Sequence, residues 1–201
     1  MKNLAVLCSG FGSNLQAIIN SLKKGSIKAR IAVVLSDQVD AYALVRAKKA
    51  GLDIAVVQAA DFPNRESYDK HVVKILRKYK VDYVLLAGFM RIISPYFVKS
   101  FNNRIINIHP SLLPSFKGVN GIGDALKYGV KTTGVTVHFV DKDLDAGPII
   151  AQKAVEVKEE DTEDSLAERI HKVEHRLYPD AIKILVMGKL KIKGRKVLVK
   201  D

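Results

Sequence analysis

The first hundred residues alternate in a way that few folds accommodate. Short apolar runs at Leu4–Cys8, Ile31–Leu35, Asp53–Val57 and Val81–Ala87 are too brief for helices and carry no polar alternation. Runs of that kind are strands buried on both faces. Between them lie helical patterns. One runs through Leu15, Ile18, Ile19 and Leu22 and ends near Gly25. A second starts with Asp40 as its cap and stops at Gly51. A third is capped by Asn64 and reaches about Tyr79. Ser94-Pro95 supplies a further N-cap followed by proline in the first turn. Strand–helix alternation at this spacing implies crossover connections and an open, mostly parallel sheet of the Rossmann-like α/β class, flanked by helices.

The rhythm changes after Arg104-Ile105-Ile106-Asn107-Ile108-His109-Pro110-Ser111-Leu112-Leu113-Pro114. Thr133–Val140 alternates as a strand, and Pro148–Val157 forms another, joined by the loop Asp141–Gly147. Lys117–Gly129 holds a glycine-rich loop and a short helix. A long helix starts at Thr162 and meets Pro179, placed to kink it before Met187-Gly188. Leu190–Val199, turning at Lys193-Gly194-Arg195, reads as a terminal hairpin. The expectation is C-terminal antiparallel strands added to a parallel sheet. No repeat, linker or low-complexity segment interrupts the chain, so residues 1–201 are expected to form a single domain.

Cys8 as the single cysteine rules out an internal disulfide framework and suits a reducing compartment. The apolar run after Met1-Lys2 is too short for a signal peptide, and no run approaches membrane-spanning length. A cytoplasmic protein with no membrane partner is expected. The net charge of +12 is concentrated near the C-terminus, in Lys183, Lys189, Lys191, Lys193, Arg195, Lys196 and Lys200. Without an RNA-stacking, helix-turn-helix or zinc-finger pattern, nucleic acid is not expected as a partner. The basic tail reads as a solvated surface, with attraction of anionic substrates as the other reading.

Several stretches carry candidate chemistry. Asn107 and His109 stand two positions apart on a strand, so their side chains share a face near its carboxyl end. A carboxamide beside an imidazole suits a negative charge developing on a carbonyl oxygen. The bland reading is a strand-end pair that closes a turn. Ser9-Gly10-Phe11-Gly12-Ser13-Asn14, between the first strand and first helix, has the form of a phosphate loop. It fails the dinucleotide fingerprint, because Leu15 takes the place of the third glycine. Ser13 and Asn14 add donors suited to a phosphate monoester, and a plain tight turn is the alternative. Cys8, inside an apolar run, is expected to be a small buried residue rather than a nucleophile. His171-Lys172-Val173-Glu174-His175 imitates a zinc-peptidase pattern but has no following glutamate to complete the ligand set, so no metal is expected. Glu174 instead faces a ligand's hydroxyl or amine, or only solvent. Asp145, beside Gly147, either holds an imidazole protonated and oriented or belongs to a solvated acidic turn.

Taken together, Ser9-Gly10-x-Gly12-Ser13-Asn14-Leu15-Gln16-Ala17-Ile18, Leu86-Ala87-Gly88-Phe89-Met90-Arg91-Ile92, Asn107-x-His109-Pro110-Ser111-Leu112-Leu113-Pro114, and His138-Phe139-Val140 with Leu144-Asp145-x-Gly147-Pro148 resemble the phosphoribosylglycinamide formyltransferases. The resemblance runs from Leu4 to about Leu190. The Asn-x-His and Asp set is also that of methionyl-tRNA formyltransferase and formyltetrahydrofolate deformylase, which usually carry an extra domain for which this chain has no room. The resemblance implies transfer of the formyl group of 10-formyltetrahydrofolate to the amine of glycinamide ribonucleotide in purine biosynthesis, by a monomer or homodimer without a metal. It implies Asn107, His109 and Asp145 as the catalytic set. Gly12, Ser13 and Asn14 would hold the ribonucleotide's phosphate, and Glu174 its ribose or glycinamide portion. Arg65 would contact the folate, with Met90, Arg91, Ile92 and Ile93 and the Asp141–Asp145 loop around the pterin ring. The segment Gly118–Gly123 departs from members that carry histidines there. A deformylase and a non-catalytic nucleotide-binding module are the alternatives.

Overall fold

The computed structural model describes residues 1–200 and divides the chain into two compact units, Met1–Ile106 and the residues from Asn107 onward. The first unit alternates strand and helix: β1 (Lys2–Leu7), α1 (Ser13–Lys23), β2 (Ala29–Ser36), α2 (Tyr42–Lys49), β3 (Ile54–Val56), α3 (Arg65–Lys78), β4 (Tyr83–Leu86) and α4 (Pro95–Ser100). Its strands lie in the order β3-β2-β1-β4, and each pair is parallel. The apolar runs are its core. Leu4 to Cys8, Val33 to Leu35, and Val84 and Leu85 have no solvent exposure, as expected for parallel strands covered on both faces. β5 (Ile105–His109) crosses from the first unit into the second.

The second unit contains α5 (Gly121–Tyr128), β6 (Thr132–Phe139), β7 (Ile149–Glu156), α6 (Glu163–Val186), β8 (Leu190–Lys193) and β9 (Lys196–Val199). β6 and β7 are antiparallel, as are β8 and β9, while β7 meets β9 in parallel at Ile149 and Lys196. The fold class is therefore the expected one: parallel strands between helices first, antiparallel strands later.

Local details differ where distant groups overrule the local pattern. Asp40 does not cap α2. Its N-cap is Ala41, without a side-chain bond, because Ala43 N–H donates instead to Gly10 O at 3.0 Å. A carbonyl from the glycine loop thus satisfies a donor that a local carboxylate was expected to take. α6, by contrast, runs through Pro179 to Val186 as one long helix, as expected; Tyr178, Ala181, Ile182 and Leu185 around the proline are all buried, and that packing outweighs the lost backbone bond. Three other helix starts follow their sequences. Asn64 Oδ1 accepts from Ser67 N–H at 2.9 Å, Ser94 caps α4 with Pro95 behind it, and Thr162 and Ser165 cap α6 reciprocally.

Candidate active site

In the second unit, β5 delivers Asn107 and, as its last residue, His109. β6 delivers His138 next to its end, and the loop before β7 delivers Asp145. These four side chains form one chain of contacts. Asn107 Nδ2 lies 3.3 Å from His138 Nε2. His138 Nε2 is 3.7 Å from Asp145 Oδ1. Asp145 Oδ2 is in turn 3.5 Å from His109 Nδ1. One carboxylate therefore stands between two imidazoles, both of which are buried with it.

The surroundings fix each member. Gly118 N–H donates to Asp145 Oδ2 at 2.9 Å, and Arg195 Nη2 donates to the next carbonyl, Ala146 O, at 2.8 Å. Asp145 itself adopts φ +46°, a left-handed backbone that costs a non-glycine residue about 1 kcal/mol and persists only when surrounding bonds hold it. His109 Nε2 is 2.7 Å from Phe116 O, so this nitrogen carries the hydrogen. The Ser111–Leu113 segment after β5 is also pinned. Thr136 Oγ1 donates to Ser111 O at 2.7 Å and accepts from Leu113 N–H at 3.1 Å, while Gln152 Nε2 donates to both Leu113 O and Thr136 Oγ1 at 2.9 Å.

His138 is the member that sequence reasoning did not assign. It was part of a motif, but its partners are remote in sequence and nothing in the strand's own pattern distinguished it. Its Nδ1 lies 2.8 Å from Phe139 O. A carbonyl oxygen only accepts, so Nδ1 bears the proton. Burial pushes the His138 pKa below the ordinary histidine value, against Asp145, which pulls it up. The neutral ring therefore presents an Nε2 lone pair.

Glu174 lies on α6, buried, with Oε2 at 2.9 Å from His171 Nδ1. That hydrogen bond raises the His171 pKa. Among the described residues, no group of three or more His, Cys, Asp or Glu side chains is arranged to hold a metal ion. Asp141 Oδ1 accepts from Asp143 N–H at 3.0 Å and orders the start of its loop.

In the first unit, the loop Ser9–Asn14 leads into α1 through Gly12, whose φ of +74° places it in the left-handed region, and no side chain caps the helix. The positive end of the α1 dipole therefore faces this loop. The structure brings a second loop against this one. Ser9 N–H donates to Gly88 O and Met90 N–H to Ser9 Oγ, both at 2.9 Å. Met90 and Ile92 are exposed, Ile93 is half-buried, and the Arg91 guanidinium lies 4.6 Å from the centre of the Tyr68 ring. Arg65 lines a cleft of about 480 Å³ together with Asn64, Glu66, Ser67, Lys70, Ser94 and Pro95. Cys8 is fully buried, and that burial pushes its thiol up to about 12. Native protein is expected to resist alkylation by iodoacetamide at pH 8, with one thiol becoming reactive on unfolding in urea; rapid labelling of folded protein would contradict the buried assignment.

A mixed α/β fold in which two strands and a loop bring a half-buried carboxamide, two buried imidazoles and a carboxylate together is a framework for acyl-type group transfer. The family of formyl transferases matches residues 2–182, and the chain belongs to that family. It is 44% identical over 190 residues to a phosphoribosylglycinamide formyltransferase of Escherichia coli, covering 94% of this chain and 90% of the relative. With the enzyme of that name from Bacillus subtilis it shares 41% over 186 residues, 92% of this chain and 95% of the relative. Against trifunctional purine biosynthetic proteins such as that of Bos taurus it is 45% identical but spans only 19% of their length. Among solved structures, glycinamide ribonucleotide transformylase 1 of Symbiobacterium toebii superposes with a TM-score of 0.98 at 48% identity, covering 100% of this chain and 95% of that one. A formyltetrahydrofolate deformylase of Pseudomonas syringae reaches 0.93 at 26% identity, and 66% of its chain is covered.

Proposed function

We propose that this chain transfers the formyl group of 10-formyltetrahydrofolate to the amine of glycinamide ribonucleotide, giving formylglycinamide ribonucleotide and tetrahydrofolate. The observation that carries the reading is the connected chain Asn107–His138–Asp145–His109. The names of the full-length bacterial relatives support the choice of substrates. The family match through both units supports reading the chain as one formyltransferase domain.

In this reading the glycinamide nitrogen attacks the formyl carbon, and the carbonyl oxygen becomes an oxyanion. The Asn107 amide donates to it, and so does His109 Nε2–H, which the oxyanion takes over from Phe116 O. Asp145 Oδ2 stands 3.5 Å from the other ring nitrogen and holds the ring in this orientation. Collapse of the tetrahedral centre breaks the bond to folate N10, which takes up the proton that the attacking amine sheds. Gly12, Ser13 and Asn14 hold the ribonucleotide phosphate, and Glu174 contacts its ribose or glycinamide portion. Arg65 contacts the folate, while Met90, Arg91, Ile92 and Ile93 and the segment Asp141–Asp145 border the pterin. The protein works in the cytoplasm, as a monomer or homodimer, without a metal, membrane or nucleic acid.

The test is release of tetrahydrofolate from 10-formyltetrahydrofolate, followed by absorbance with and without glycinamide ribonucleotide. Release only with the ribonucleotide, with a product heavier by one formyl group, is the expected result. Equal release without it makes the chain a deformylase, and no release by folded protein removes the catalytic reading.

A further inference from the structure

We propose that His138 is a positioning residue, whose Nε2 lone pair turns the Asn107 carboxamide so that an N–H, rather than the carbonyl oxygen, faces the reacting formyl group. The inference rests on the role of Asn107 given above and adds a residue that this role requires.

A primary amide has two chemically opposite ends of almost equal shape. Rotation by half a turn exchanges an N–H donor for an oxygen acceptor. Beside an oxyanion, one orientation is a strong stabiliser and the other repels. Asn107 stands in the middle of β5.

The selection comes from β6. His138 Nδ1 faces Phe139 O at 2.8 Å and must therefore carry a hydrogen. The ring is 1% exposed, and desolvation favours its uncharged form. Its Nε2 is then an acceptor, 3.3 Å from the Asn107 nitrogen. One Asn107 N–H donates to that lone pair and the second remains for the substrate. The flipped amide would set its oxygen against the Nε2 lone pair and lose the bond. Asp145 Oδ1, at 3.7 Å from the same Nε2, adds negative charge to this edge and further favours the amide's hydrogen-bearing end. His138 itself has both nitrogens engaged within the protein, so it acts on the reaction through Asn107.

The test combines a spectroscopic readout of the wild-type protein with two variants. Nitrogen-15 shifts of histidine-labelled protein at pH 7 are expected to show His138 protonated at Nδ1 and unprotonated at Nε2. The opposite tautomer, or a charged ring, overturns the inference whatever the activity. His138→Ala is expected to lower kcat by about ten- to a hundredfold with KM for both substrates within about twofold, the signature of a lost transition-state interaction. His138→Gln places an amide oxygen near the Nε2 position and is expected to recover most of that loss. If His138→Ala folds and keeps wild-type kcat, or if His138→Gln is as impaired as alanine, His138 does not position Asn107. If the alanine variant does not fold, the tautomer and the glutamine variant decide. Asn107→Ala separates the two ideas. Retained turnover there removes the role of Asn107 itself, while lost turnover with an unaffected His138→Ala removes only the positioning inference.

Discussion

Asn107→Ala is expected to lower kcat by about 10²–10³-fold, equivalent to about 3–4 kcal/mol of transition-state stabilisation, with KM for either substrate little changed. His109→Ala is expected to be at least as impaired. The reason lies in when the two donors act. A formyl oxygen in the ground state is a weak acceptor, and in the proposed function the charge these residues meet exists only once the tetrahedral centre has formed. Their removal therefore falls on the barrier and leaves binding alone. The double variant should be little worse than His109→Ala, because the proposed function has both donors serve one oxyanion, so that their effects do not add. Steady-state kinetics on variants with native circular dichroism makes the check. Near-normal turnover in either folded single variant would remove these residues from the chemistry. His109 also carries the larger structural penalty. Its removal leaves Phe116 O without its donor and Asp145 Oδ2 with only Gly118 N–H, so the unfolding midpoint of this variant should also drop.

How far was this site legible beforehand? The parallel strands were, because a strand covered on both faces must be almost wholly apolar, and Leu4–Cys8, or Val81–Ala87 apart from Asp82, can be little else. Asn107 and His109 were legible as a pair because the two-residue period of a strand is a property of the backbone. What sequence could not reveal was the contact between elements that turns the pair into a connected site. His138 is thirty-one residues from Asn107, and the lone pair that it presents depends on a carbonyl one residue along its own strand. Asp145 was recognisable as an acid in a glycine-containing loop, but not its left-handed backbone or the Gly118 N–H on its carboxylate. The same limit explains the α2 cap. Asp40 satisfied the local rule, and a carbonyl from a distant loop took its place. Local patterns specify elements, while remote hydrogen-bond partners specify the orientation of the groups that react.

Gly12→Ala is expected to raise KM for glycinamide ribonucleotide by about tenfold or more and to destabilise the protein by about 2–4 kcal/mol, while Gly10→Ala shifts the unfolding free energy by about 0.5 kcal/mol or less. The two glycines share one loop but not one environment. At Gly12 the backbone has φ +74°, and an added Cβ would lie 2.7 Å from Ala43 Cβ and 2.8 Å from Ala43 Cα. The left-handed conformation alone costs an L-residue roughly 1–2 kcal/mol. The overlap is with the first turn of α2, which is tied to the same loop by Ala43 N–H on Gly10 O. Relief therefore requires that the loop or the helix shift, and either movement displaces the amides at the start of α1 that the proposed function assigns to the phosphate. At Gly10 no heavy atom lies within 4 Å of the added carbon. The kinetic effect should fall on KM because the phosphate is bound in ground state and transition state alike. Urea unfolding and ribonucleotide titration of the two variants together make the measurement. A folded Gly12→Ala protein with unchanged KM would place the phosphate somewhere other than this loop.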